Sequence, residues 1–140
     1  MAITKVTSAL LNSTALTSKA FGTSSIMIGD DVTGTIDAAN NNTGVGVDVF
    51  EALTSGDNNT AIGKNALQVV TSGSQNTALG VGAGSANLQG TGNVFVGFMA
   101  GSQETGSNKL YIDNSSTAKP LISGDFEQDS VTINGDVKIT

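Results

Sequence analysis

The sequence predicts an all-β protein built as a parallel β-solenoid of 17-residue coils, and three observations carry that expectation. An aliphatic residue followed by glycine recurs at a constant interval of 17. Columns of asparagine, threonine and small apolar residues keep the same beat. The chain holds 18 glycines in 140 residues yet only five Phe, one Tyr and no Trp, so it lacks the large anchors of an ordinary globular core.

The beat runs Ile28-Gly29, Val45-Gly46, Ile62-Gly63, Leu79-Gly80 and Val96-Gly97. Three residues after each glycine stands a small apolar residue: Val32, Val49, Ala66, Ala83 and Ala100. Three before it stand Ile26, Thr43, Thr60, Thr77 and Val94, and four before it stand Asn42, Asn59, Asn76 and Asn93. A further glycine follows ten residues later in the middle coils, as Gly56, Gly73 and Gly90. A 17-residue unit is too short for a pair of helices,. Its glycine, asparagine and β-branched residues also oppose helix. Each unit therefore reads as one coil, and successive coils stack as parallel strands about 4.8 Å apart. On this reading the aliphatic column points inward and forms a slender core. The glycine beside it permits a bend or a close backbone approach. The asparagines form a stacked amide ladder or supply a turn.

The flanks depart from the repeat. Residues 1–23 lie outside it; Ala2 to Val6 has strand character, and the segment is expected to be an anchor to a larger assembly or a simple cap. Residues 24–112 carry the coils. The beat slips by one at Ile112-Asp113, where the glycine becomes Asp, as suits an atypical terminal repeat,. In residues 113–140 the single proline, Pro120, falls beyond the ladder. Val131-Thr132-Ile133, Asn134-Gly135 and Asp136-Val137-Lys138-Ile139 read as a β-hairpin on a type I′ turn,.

Composition excludes several classes of function. The net charge is −6 and only six Lys and Arg are present, scattered along the chain, which disfavours nucleic-acid binding,. There is no His and no Cys, so the commonest general base, the commonest metal ligand and any disulfide are absent,. The apolar run Ala9-Leu10-Leu11 is too short for a secretory leader, and no stretch approaches the ~18 apolar residues of a membrane helix,. No membrane insertion, no cofactor and no metal are expected, and the chain is expected to assemble in a host cytoplasm.

Candidate chemistry is thin. Paired carboxylates could cleave glycans, and Asp30, Asp31, Asp48 and Glu51 are the acids available, but a solvated acidic surface explains them as well,. Asp57-Asn58-Asn59 is rich in oxygen without matching a calcium loop, and reads as a turn,. The rank Thr43, Thr60, Thr77 is too short and too interrupted for an ice-binding array. Gly80-Val81-Gly82-Ala83-Gly84 lacks the Lys-Ser/Thr of a phosphate loop, and the repeat accounts for its glycines,. Phe95, Phe98 and Met99 form the richest apolar cluster and read as coil core or subunit interface.

A one-residue-wide core buries little for the backbone it must order, and solenoid ends leave unpaired edges. Association around a three-fold axis is a closed solution to both problems, which makes a homotrimer the expected state.

The units Asn59-Thr60-Ala61-Ile62-Gly63 and Asn76-Thr77-Ala78-Leu79-Gly80 resemble the head repeats of YadA-type trimeric adhesins, which also occur in phage tail-fibre and tail-spike proteins. The resemblance covers residues 24–112 and implies a left-handed β-roll with three chains per head. The period here is longer, and threonine often stands where that family has an aliphatic residue. Asn108 to Asp113, Pro120 to Phe126 and Val131 to Gly135 are similar to segments near the end of phage fibre repeat arrays, although no self-cleaving chaperone domain is expected after Thr140. The resemblance implies a non-enzymatic virion structural protein on the particle surface. It would be a trimeric fibre or spike for adhesion to a host receptor or glycan, partnered by itself and by other virion proteins of capsid or tail. The alternatives are a capsid head-decoration protein and a bacterial trimeric adhesin head.

Overall fold

A computed structural model describes residues 17–19, 24–29 and 38–139. Ala2 to Val6, Val32 and the acids Asp30 and Asp31 lie outside the described residues. The strands are β1 (Thr17–Lys19), β2 (Ile26–Gly29), β3 (Thr43–Gly46), β4 (Thr60–Ile62), β5 (Thr77–Leu79), β6 (Val94–Val96), β7 (Lys109–Ile112), β8 (Ile122–Asp125) and β9 (Ser130–Ile133). They form one sheet in chain order. From β2 to β7 every pairing is parallel, which makes a solenoid of five coils. β1 lies antiparallel on β2, and β8 and β9 add antiparallel strands at the other end. Among the described residues there is no helix.

The register keeps the 17-residue beat, Val45 facing Ile62 and Ile62 facing Leu79. The last step is shorter by one: Val96 faces Ile112, where the sequence slips. Positive φ turns the corners of each coil. One such column is Asn41, Asn58, Gln75, Gly92 and Asn108; a second is Asp48, Asn65, Gly82 and Met99. Asparagine and aspartate tolerate this conformation because their short polar side chains bond locally.

The core differs from the expectation in parity. Side chains alternate along a strand, and the inward residue is the one before the aliphatic: Met27, Gly44, Ala61, Ala78 and Phe95. Ile28, Val45, Ile62, Leu79 and Val96 point outward instead; Ile62 is 40% and Leu79 48% exposed. The opposite wall supplies Val49, Phe50, Leu53, Ala66, Leu67 and Val70, all buried. A coil this narrow takes a large residue on one wall only where the other is small. Phe50 therefore packs on Gly44, and Phe95 fills the space left at Gly84 and Gly101. Burying Phe95 is worth about 2–3 kcal/mol,.

The asparagine column is a buried ladder, which settles the choice between ladder and turn. Asn42, Asn59, Asn76 and Asn93 are fully buried. Asn59 Nδ2 donates to Gly73 O at 2.9 Å. Asn59 Oδ1 accepts from Asn76 N and Asn76 Nδ2, both at 3.0 Å. The later glycines serve the same device, since Gly56, Gly73 and Gly90 present the carbonyls that the amides reach. Asn59→Ala strands the Asn76 donors and the Gly73 carbonyl in the interior, at about 1–3 kcal/mol for each unsatisfied group. Expected is a loss of about 3 kcal/mol or more in denaturant unfolding. A loss within experimental error would contradict the ladder's role.

At the end of the array the core turns polar. Asn87 continues the Leu53–Val70 column, buried, and donates to Gly106 O at 3.1 Å. Tyr111 packs on Phe95 with ring centroids 6.0 Å apart, and its hydroxyl donates to Glu104 Oε2 at 2.8 Å. Burial first, then that bond and the Glu104 charge, push the phenol up from 10.0 to about 12. A raised folded value means that this contribution to stability is complete below pH 10.0 and is lost as the pH climbs towards about 12,. Tyr111 is the only tyrosine and there is no Trp, so tyrosinate absorbance reports it alone. The folded protein should titrate near pH 12 and the unfolded chain near 10; coincident curves would contradict the burial.

The C-terminal hairpin exists, but between other strands than expected. β8 pairs with β9, whereas Asp136 to Ile139 pair with nothing regular. Asp125 Oδ1 accepts from the amides of Glu127 (2.9 Å) and Gln128 (3.2 Å), and Asp129 takes positive φ, which makes the turn there. Asn134 is diverted from its expected turn: its amide N donates to Leu121 O and its Nδ2 to Pro120 O.

Candidate functional site

Among the described residues the outward aliphatic column builds an extended apolar surface. In register it runs Ile28, Val45, Ile62, Leu79, Val96, Ile112, Ile122 and Ile133, from β2 to β9 without a break. Seven strand steps of about 4.8 Å make it roughly 33 Å long. No member is charged. Residues two positions away share the same face, so the rank Thr43, Thr60, Thr77, continued by Val94 and Leu110, lies beside it,. One residue past the glycines stands a further stack in which exposed Val47 (43%), Val81 (45%) and Phe98 (51%) are interrupted by Lys64. Monomeric proteins rarely expose a contiguous apolar strip of this extent, and such strips mark contact surfaces.

The glycines hold this strip straight. Gly29, Gly46, Gly63, Gly80 and Gly97 stack on one another through their backbones at φ between 118° and 155°. Each later glycine amide bonds the residue before the preceding glycine: Gly63 N to Val45 O, Gly80 N to Ile62 O and Gly97 N to Leu79 O, each at 2.8 Å. The predicted glycine and aliphatic columns are thus brought together, with the glycines as scaffold and the aliphatics as surface. The asparagine ladder lies on the other face of the same strands, inside the coil, and presents nothing to a partner.

The remaining candidates disperse. Glu51 Oε2 accepts from Gln68 Nε2 at 2.5 Å, and Asp48 stands at a positive-φ corner. Asp57 Oδ1 accepts from Asn40 N at 2.6 Å, Asn58 Oδ1 from Asn41 Nδ2 at 3.3 Å, and Asn59 Oδ1 serves the ladder. One side-chain oxygen of each residue in that stretch is therefore engaged by a neighbouring coil. Among the described residues no three acidic side chains gather closely enough to hold a metal ion. The Lys109–Asp125 ion pair, Nζ to Oδ2 at 2.6 Å, joins β7 to β8. The mutual hydrogen bond holds Asp125 below the usual carboxylate range and Lys109 above its usual value. Phe95 is core and Phe98 is surface, so the apolar cluster read from the sequence divides between the two roles.

Ile112 was legible as the slipped last beat of the column, whereas Ile122 and Ile133 were not legible as members of the row. The shortened last coil and the reversal of strand direction remove the periodic signal, and only the register recovers them. No protein-family model matches the chain, and neither the curated proteins nor the solved structures contain a match to it.

Proposed function

We propose that this chain is a non-enzymatic virion structural protein, a small homotrimeric fibre or spike module that works by rigid display and adhesion to a host surface. The observation that supports it best is the outward aliphatic row, from Ile28 to Ile133. A stiff ladder of this kind, parallel to the coil axis, is covered most economically by identical ladders turned about a common axis. Three copies close such a ring and leave the polar coil corners outside. The placement on a phage particle rests on the likeness of the Asn-Thr-Ala-Ile-Gly units to fibre and adhesin head repeats.

Light scattering tests the assembly: the expected mass is three times the 14.0 kDa chain. A stable monomer would overturn the reading. Antibody labelling of purified particles tests the location. Label on tail fibres or spikes is the expected result, label on tailless heads would move the protein to a decoration role, and no label on any particle would remove it from the virion.

A further inference from the structure

The terminal hairpin wears its apolar side on the unexpected face. Alternation along β7, β8 and β9 puts Leu110, Ile112, Ile122, Gly124, Val131 and Ile133 on the outer face of the sheet,. The face continuous with the coil interior carries Lys109 and Tyr111 of β7, the tyrosine packed on Phe95, and only Ser123, Asp125, Ser130 and Thr132 of the hairpin strands. A hairpin that merely capped one solenoid would turn its apolar residues over the open end of the core. This one turns them sideways, in line with the row of the coils. All four residues of β9 are exposed, Val131 at 65% and Ile133 at 48%, so among the described residues of one chain the strand pairs only with β8.

We propose that β8 and β9 form a clamp that orders on assembly, its outer face packed on a second copy of this chain along the same strip that the coils use. The inference rests on the oligomeric reading and deepens it. The occupant follows from the row itself. It crosses from coil to hairpin without losing register or acquiring a charge, so whatever covers Leu79 and Val96 also meets Ile122 and Ile133. A ladder with this strand spacing and this length is matched by the ladder of another copy. Gly124 interrupts the neighbouring rank between Leu110 and Val131 and leaves a hollow of about 240 Å³. Phe126, Asp125, Asp129 and Ser130 complete its wall, and it has room for an apolar side chain from the adjacent copy.

The test is amide hydrogen exchange, read by mass spectrometry on the full chain, together with the mass in solution. Peptides covering 121–134 should be protected in the assembled wild type and lose protection as dilution dissociates it. The double substitution Val131→Asp and Ile133→Asp should weaken association at least about tenfold, since it buries carboxylates without partners. The coil amides of that variant should stay protected, which shows that the solenoid remains folded. An assembled wild type whose hairpin exchanges equally fast before and after dissociation would overturn the clamp alone. So would a hairpin variant that associates as tightly as the wild type. A wild type that is monomeric at all concentrations would overturn the oligomeric reading and the clamp with it.

Discussion

Gly63→Ala should unfold the middle of the solenoid, with a loss of about 4 kcal/mol or more, an effect in the exceptional class for one methyl group. Gly63 sits at φ +129°, a conformation that costs an L-residue about 1–3 kcal/mol by itself,. The added Cβ would stand 2.5 Å from both the carbonyl carbon and oxygen of Gly80 and 2.9 Å from Val81 N. These are backbone atoms of the next coil, so no rotamer change relieves the contact. Parting the two coils would break bonds on both sides of the site, among them Gly80 N to Ile62 O at 2.8 Å. Gly106→Ala is the matched control. It has no positive φ, and its nearest obstacle is the end of the Glu104 side chain at 3.0 Å. It should cost no more than about 1 kcal/mol. Guanidinium unfolding followed by circular dichroism compares the two, and equal losses would contradict the stacked-glycine scaffold.

The second large effect is expected from Ile62→Asp combined with Leu79→Asp. In a single chain both side chains are nearly half exposed, so the coils should tolerate the change with little loss of stability,. In an assembly that covers the row, each chain would bury two carboxylates facing apolar neighbours. At roughly 2 kcal/mol or more for each, association should weaken at least about a thousandfold. The mass should fall to that of one 14.0 kDa chain while the β spectrum persists. Leu88→Asp is the control: Leu88 is 47% exposed but is no member of the row, and the substitution should leave the mass unchanged. If all three substitutions behaved alike, the row would have no special part in assembly.

The period of the coils was legible because stacking demands identity at a fixed spacing: Gly29 to Gly97 meet backbone to backbone and tolerate nothing else. The parity was not. Large aliphatics were expected inside, yet the strand wall of a narrow coil has room only for Gly44, Ala61 and Ala78 wherever the opposite wall carries Phe50, Leu67 and Val70. A signal existed in the volumes. Phe95 appears on the strand wall where Gly84 and Gly101 replace the larger residues opposite, and that exchange identifies the two inward columns. Asn59 and Ala61 also share a face by alternation, and so do Thr60 and Ile62, which places the isoleucine with the half-buried, outward threonine,.

The end of the chain was less legible for a different reason. Asn134-Gly135 has the composition of a hairpin turn, but local preference lost to the longer-range bonds of Asn134 to Pro120 and Leu121. The Asp125 carboxylate, bonded to the amides of Glu127 and Gln128, made the turn instead. Both effects bear on the candidate site. Its members were all named as a column or as flanking segments, yet they become one surface only when strand register and side-chain parity are known together.

The most direct test of a covered outer row uses the absence of native cysteine. A Leu79→Cys variant carries one thiol in the middle of the row, at a position 48% exposed in the isolated chain. Alkylation is measured in the assembled protein, after dissociation by dilution, and after denaturation. Protection by at least about tenfold in the assembled protein, released on dissociation without unfolding, is the expected result. A thiol that reacts in the concentrated native protein as fast as in the denatured chain would mean that the row faces water, and that no second copy covers it.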